Sequence, residues 1–116
     1  ADLPQAQDEF LDFNTQIDRS VLPEIIRLAG GANIRLAFVR VQRRPSTDGP
    51  PEQSRALARY IEELRGYLTA HGALFHDDHG DPHQPLAVYA DGDHLQSSQR
   101  IPYTERFARA QAAFFQ

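Results

Sequence analysis

The sequence predicts an α/β domain, a mainly parallel sheet of few strands covered by helices. Three observations predict it. The elements read in the order helix, strand, helix, strand, loop, helix. Residues 34 to 42 hold Ile34, Leu36 and Phe38 in alternation, followed by β-branched Val39 and Val41, the composition of a largely buried strand. Residues 52 to 70 place Leu57, Ile61, Leu64 and Leu68 on one face of a helix.

Composition bounds the reading. The 116 residues fit one domain, and 41% hydrophobic content is that of a chain with a core. Net charge is -4 and the basic residues form no long block, so no nucleic-acid partner is expected. No apolar run approaches the roughly 20 residues of a membrane span. The absence of Cys removes disulfides, thiolate nucleophiles and cysteine zinc sites. Ala1-Asp2-Leu3-Pro4 is compatible with the product of signal cleavage, which would mean a periplasmic or secreted protein, and equally with an excerpt.

Each element has its own signals. Residues 5 to 19 carry scattered apolar positions (Phe10, Leu11, Phe13, Ile17) and read as helical or irregular. Ser20 precedes Val21, Leu22, Ile25, Ile26 and Leu28, a helix with a Ser N-cap, Pro23 in its first turn, and Gly30-Gly31 to end it. After the 34–42 strand, the Pro/Gly-rich stretch from Pro45 to Pro51 is a loop. In the 52–70 helix Tyr60 and Tyr67 widen the apolar stripe, Glu62, Glu63 and Arg65 lie off it, and Gly72 closes it. Ala73-Leu74-Phe75 is a short strand, residues 76 to 85 a polar loop, and Leu86 to Tyr89 a second short apolar segment. A last helix is expected from about Pro102, with Tyr103, Phe107, Ala110 and Phe114 as its stripe.

Three groups of residues could carry chemistry. In Asp91-Gly92-Asp93-His94, a carboxylate three residues before a histidine across a glycine turn can bend back onto Nδ1–H, fix the tautomer and leave Nε2 to take a proton. The plainer reading is a polar turn whose aspartates bind local amides. In His76-Asp77-Asp78-His79-Gly80-Asp81-Pro82-His83, imidazoles and carboxylates suit a transition ion, with His76, Asp78, His79 and His83 the candidate ligands. No pair there has helical i, i+4 spacing, so a solvated loop without metal is expected. Arg40, Gln42, Arg43 and Arg44 lie at the C-terminal end of the main strand, where open α/β sheets gather ligands, and make Arg40, Gln42 and Arg43 candidate substrate-binding residues. Arg40 and Gln42 share a strand face.

The stretch from Ile34 to Phe115 resembles the C-terminal part of the SGNH (GDSL-type) hydrolase superfamily. The resemblance rests on a strand, a long helix, a short strand and a loop leading to Asp91-Gly92-Asp93-His94-Leu95, then a closing helix with Tyr103 and Phe107. It implies a partial three-layer αβα arrangement, the C-terminal half of a flavodoxin-like fold. It also implies Asp91 as the triad acid, His94 as the general base, Asp93 as a less favoured acid, and ester hydrolysis or acyl transfer through a serine acyl-enzyme. The substrate class it implies is an ester or acylated carbohydrate, with no cofactor.

One departure is plain. The family's nucleophile lies in a Gly-Asp-Ser-like block, and its oxyanion Gly and Asn lie in two further blocks, none of which occurs here. Ser20 and Ser54 sit at helix starts, Ser46 in the loop, and Ser97 and Ser98 too soon after His94. The chain by itself is therefore expected to be inactive, with the N-terminal half of the same domain, or another chain, completing the sheet and the site. The alternative is a binding module of the same fold without catalysis, and after it a metal-binding His/Asp loop protein.

Overall fold

The computed structural model describes residues 11–47, 49 and 51–115. Over these the chain is mixed α/β, with four helices, a two-stranded parallel sheet and a small antiparallel hairpin. It divides into two compact units, Ala1–Val39 with Gln53–His76, and Arg40–Glu52 with Asp77–Gln116.

In the first unit, α1 (Phe13–Gln16) starts at Asp12, whose carboxylate accepts from Thr15 N–H and from the Thr15 hydroxyl. Of the segment expected to be helical or irregular, residues 5–10 lie outside the described residues; the rest is α1 and a 3-10 turn, Ile17–Arg19. Helix α2 (Leu22–Gly31) carries proline in its first turn; its N-cap is Val21, without a side-chain bond, not the expected Ser20, whose Oγ accepts from Leu22 N–H at 3.3 Å one residue further back. The left-handed residue that stops α2 is Asn33 (φ 56°), beyond the two glycines, and Ile34 N–H reaches back to Ala29 O at 2.8 Å. Asparagine tolerates that conformation better than other side chains, so the glycines fall inside the last turn instead.

Helix α3 (Arg55–Ala70) begins where Ser54 Oγ accepts from Leu57 N–H at 3.1 Å, three residues after the expected start. A serine oxygen satisfies an amide that has no partner inside the helix, whereas Glu52 offers none of that geometry. The predicted stripe faces inward: Ile61 and Leu68 are buried and Leu57 and Leu64 half-buried. Phe13 is buried against Tyr60 and Tyr67, edge-on with centroids at 5.6 and 5.7 Å. Arg65 lies over the Phe75 ring at 4.8 Å, so its stem packs rather than standing in water. Gly72 (φ 77°) ends the helix in a left-handed turn, with Ala73 N–H on Leu68 O.

The crossover β1 (Ala37–Arg40), α3, β2 (Leu74–Asp77) gives the parallel pair. Leu74 N–H donates to Leu36 O at 2.9 Å and Asp78 N–H to Arg40 O at 3.0 Å, so both strands advance together. The strand is shorter than the expected 34–42: Ile34 to Leu36 and Val41 and Gln42 lie outside β1, because β2 offers partners only alongside Ala37–Arg40.

The second unit is built from loops, a 3-10 turn (Leu86–Val88), the hairpin β3 (Tyr89–Asp91) and β4 (His94–Leu95), and helix α4 (Ser97–Gln111). Helix α4 begins five residues before Pro102, which sits inside it. Gln96 decides where the helix starts. Its N–H donates to Val88 O at 2.8 Å and its amide to Ala87 O at 2.9 Å, fixing the chain's entry. Of the expected stripe, Tyr103, Phe107 and Phe114 are half-buried, Ala110 is exposed, and Gln111 is buried beside them. No helix among the described residues is long and apolar enough to cross a membrane.

Candidate functional site

The Asp-x-x-His spacing is the spacing of a two-residue hairpin. Asp91 and His94 are cross-strand partners of β3 and β4, and Gly92-Asp93 form the turn between them. Gly92 has φ 46°, a conformation that side-chain-bearing residues adopt at a cost, and glycine at the first central position suits a two-residue hairpin. The turn brings the two side chains together, with His94 Nδ1–H donating to Asp91 Oδ1 at 3.1 Å. An ionised carboxylate only accepts, so this contact puts the proton on Nδ1 and leaves Nε2 as the basic nitrogen. Both side chains are open to solvent, 82% exposed for His94 and 86% for Asp91.

Asp93 has a different partner. Its Oδ1 accepts from Arg44 N–H at 2.8 Å. The two aspartates of the motif thus divide the work: Asp91 orients the imidazole, and Asp93 ties the turn to the segment that leaves β1. Gln96 braces the other side of the hairpin through Ala87 O and Tyr89 O.

The residues at the end of β1 are held by neighbours. Arg40 Nη1 donates to Asp77 Oδ2 at 3.4 Å, and both side chains are largely covered. Gln42 is buried at 4% exposure. Its Nε2 donates to Gln84 O at 2.8 Å, and its Oε1 accepts from Gly80 N–H at 2.8 Å and Asp81 N–H at 3.1 Å. One side chain thus folds the loop over itself. Arg43 is exposed and Arg44 is anchored through its backbone.

The His/Asp loop is organised by the same kind of bond. Asp77 Oδ1 accepts from His79 N–H at 2.9 Å, and Asp81 Oδ1 accepts from His83 N–H at 2.8 Å. Asp78 is buried and accepts from the Tyr103 hydroxyl at 2.6 Å. Burial, then the Asp78 bond and charge, push the Tyr103 hydroxyl well above the ordinary tyrosine value. Burial alone would raise the Asp81 carboxyl, but hydrogen bonds from the Gln84 amide and His83 N–H outweigh it and hold the group below its usual value. Among the described residues, no three His, Asp or Glu side chains converge where they could hold a metal ion.

Two further contributors had a weak signal in the sequence. Tyr89 and Tyr103 stand where a phenylalanine would serve an apolar stripe, and a buried phenol needs a partner. Tyr89 Oη reaches Gln42 O at 3.2 Å and Gln84 Oε1 at 3.3 Å. No protein-family model matches the chain, and no curated protein or solved structure matches it either.

Proposed function

We propose that this chain supplies the acid–base half of a serine ester hydrolase or acyltransferase site of the SGNH type. The observation that carries the reading is the contact of His94 Nδ1 with Asp91 Oδ1 at 3.1 Å on a braced hairpin. The order of parallel crossover, loop, Asp/His turn and closing helix supports it, as the C-terminal half of a three-layer αβα fold. In this reading Nε2 of His94 takes the proton of a serine hydroxyl as that oxygen attacks an ester carbonyl. His94 then returns the proton to the departing alcohol, and Asp91 stabilises the imidazolium between the two transfers. The serine and the oxyanion donors come from outside these residues, from the N-terminal half of the domain or from another chain. An acylated carbohydrate or another ester is the substrate class, and a covering polypeptide would exclude water from the exposed pair.

The test is turnover of p-nitrophenyl acetate by the full-length protein in which these residues occur, against His94→Gln and Asp91→Asn. His94→Gln is expected to lower turnover by about 10²–10⁴-fold, the usual worth of a general base. Turnover unchanged in His94→Gln would sink the assignment. The exposure of Asp91 and His94 favours a second reading, a binding module without catalysis. That reading expects no covalent labelling by a fluorophosphonate, whereas the enzyme reading expects labelling of the full-length protein.

A further inference from the structure

The second unit contains a cavity of about 320 Å³ that the chemistry above does not use. Its walls are set by four pyrrolidine rings, Pro45, Pro51, Pro82 and Pro85, with glycines between them. Three polar side chains also line it, and each already has partners. Gln42 holds three backbone groups, Gln84 Nε2 donates to Asp81 Oδ2 at 3.0 Å, and Gln84 Oε1 meets the Tyr89 hydroxyl. What the walls chiefly offer a ligand is therefore C–H surface, on rings whose own geometry is fixed, beside a smaller polar part.

Size and charge narrow the ligand. An apolar cavity of about 150 Å³ takes a benzene molecule, so this one takes a group of roughly twice that bulk. The charged side chain at its wall is the Asp81 carboxylate, which disfavours an anion. No arginine lines the space, and Arg106 acts on Asp81 only from outside the lining. The cavity also has a fixed link to the hairpin. Pro45 at its wall is joined by one peptide bond to Arg44, whose N–H is held by Asp93 between Asp91 and His94.

We propose that this cavity is an acyl pocket, taking the compact, uncharged aliphatic group of the ester on which the Asp91–His94 pair acts. The identification of the bound group as an acyl chain rests on the proposed esterase reading; the binding of a neutral aliphatic group does not. The prolines supply a rigid apolar surface, the Gln42–Gln84–Asp81 bonds hold it open before a ligand arrives, and Asp81 rejects the free acid. A pocket that takes a neutral ester and repels its carboxylate product would also speed product release.

The experiment is an amide NMR titration of the 116-residue chain with methyl butyrate and, separately, sodium butyrate at neutral pH. Methyl butyrate is expected to shift the amides of Gly49, Gly80, Asp81 and Gln84 along one saturating curve, and butyrate to bind at least tenfold more weakly. Asp81→Asn keeps an oxygen for His83 N–H and removes the charge; the Gln84 amide must turn over so that its oxygen meets the new NH2, which the Tyr89 hydroxyl allows by accepting from Gln84 Nε2, and the variant is expected to bring the two ligands within about threefold of each other. Equal binding of both ligands by the wild type, shifts scattered away from those amides, or butyrate still excluded by Asp81→Asn would each overturn the proposal. Binding is read without turnover, so a titration that succeeds beside a His94→Gln variant of full activity would leave the pocket standing and remove the esterase reading.

Discussion

The two units of this chain are held by different forces. In the first, side chains meet through apolar surface: Leu68 is fully buried, Ile61 lies beside it on the α3 stripe, and Phe13 packs on two tyrosine rings. In the second, buried residues include Gln42, Asp78 and Gln84, and the order comes from side chains that bind backbone. Apolar packing is non-directional and tolerates repacking, whereas a buried amide or carboxylate must find its partners at set distances or lose stability. The proposed chemistry lies entirely in the second unit, where directional bonds can fix a turn that carries little apolar surface.

The largest expected effect tests the first half of that contrast. Leu68→Ala removes a side chain with no solvent exposure and should cost about 2–5 kcal/mol, read by urea unfolding. Gln42→Ala is its counterpart. It leaves Gly80 N–H, Asp81 N–H and Gln84 O without their side-chain partner; the bond to Gln84 O is buried and its loss should cost about 1–3 kcal/mol, while the two half-buried amides can turn to water. The contrast is sharpest in a conservative pair. Leu68→Met should be tolerated at a cost below about 1.5 kcal/mol. Gln42→Glu keeps the shape but loses the donor to Gln84 O and buries a charge, and should be the worse of the two. If Gln42→Glu unfolded no more easily than Leu68→Met, directional bonding would not be what holds the second unit.

How much of this was legible beforehand follows the same division. The α3 stripe of Leu57, Ile61, Leu64 and Leu68 and its Gly72 end follow from period and capping chemistry, because those signals are local, whereas its start fell three residues later, at the Ser54 cap. The short span of β1 was not legible, since a strand ends where its partner ends and the partner is β2. The start of α4 differs from the expected Pro102 for a similar reason: Gln96 bonds to carbonyls of the 3-10 turn before the hairpin and fixes the entry earlier. In the candidate site, the approach of Asp91 to His94 could be read from spacing and Gly92. The anchoring of Asp93 by Arg44 could not, since the two lie 49 positions apart. Gln42 stood out as a strand-end polar residue, yet its side chain turned to the loop, a choice set by Gly80 and Asp81 amides that no periodicity reports.

A middle-sized effect separates the polar network from simple burial. The bond from Tyr103 to buried Asp78 joins α4 to the loop after β2, and Tyr103→Phe should cost about 1.5–3 kcal/mol near neutral pH, the range for hydrogen bonds to charged groups. The pH dependence has a definite sign. Burial and the Asp78 bond and charge raise the folded-state value of Tyr103 above the unfolded value of about 10. Its contribution is therefore complete below about pH 10 and is lost as pH rises through the folded value. The stability gap between wild type and Tyr103→Phe should be constant from pH 7 to 9 and narrow above pH 10. Tyr89, raised mainly by burial, remains in both proteins and cancels from the difference. A gap that stayed constant to pH 11 would mean the phenol acts by packing alone.

The smallest expected effect on stability falls on the residues with the proposed chemistry. Asp91 and His94 hold each other at 3.1 Å, but both stand in water, and an exposed contact between two side chains contributes little because solvent competes for it. Asp91→Asn and His94→Gln should leave the thermal midpoint where it is. Replacing Asp93, which carries the turn through Arg44 N–H, should lower the midpoint and shift the His94 ring signals in NMR. Asp93→Asn, whose amide oxygen still accepts that bond, should restore both. The measurement is melting for Asp91→Asn, His94→Gln, Asp93→Ala and Asp93→Asn, with His94 imidazole ¹⁵N shifts for the three that keep the ring. A fall in stability for His94→Gln comparable to that for Asp93→Ala would make the pair a structural clasp of the hairpin. An unchanged midpoint, with loss of turnover in the full-length protein, would mean the pair is kept for chemistry, because the fold gains nothing from it.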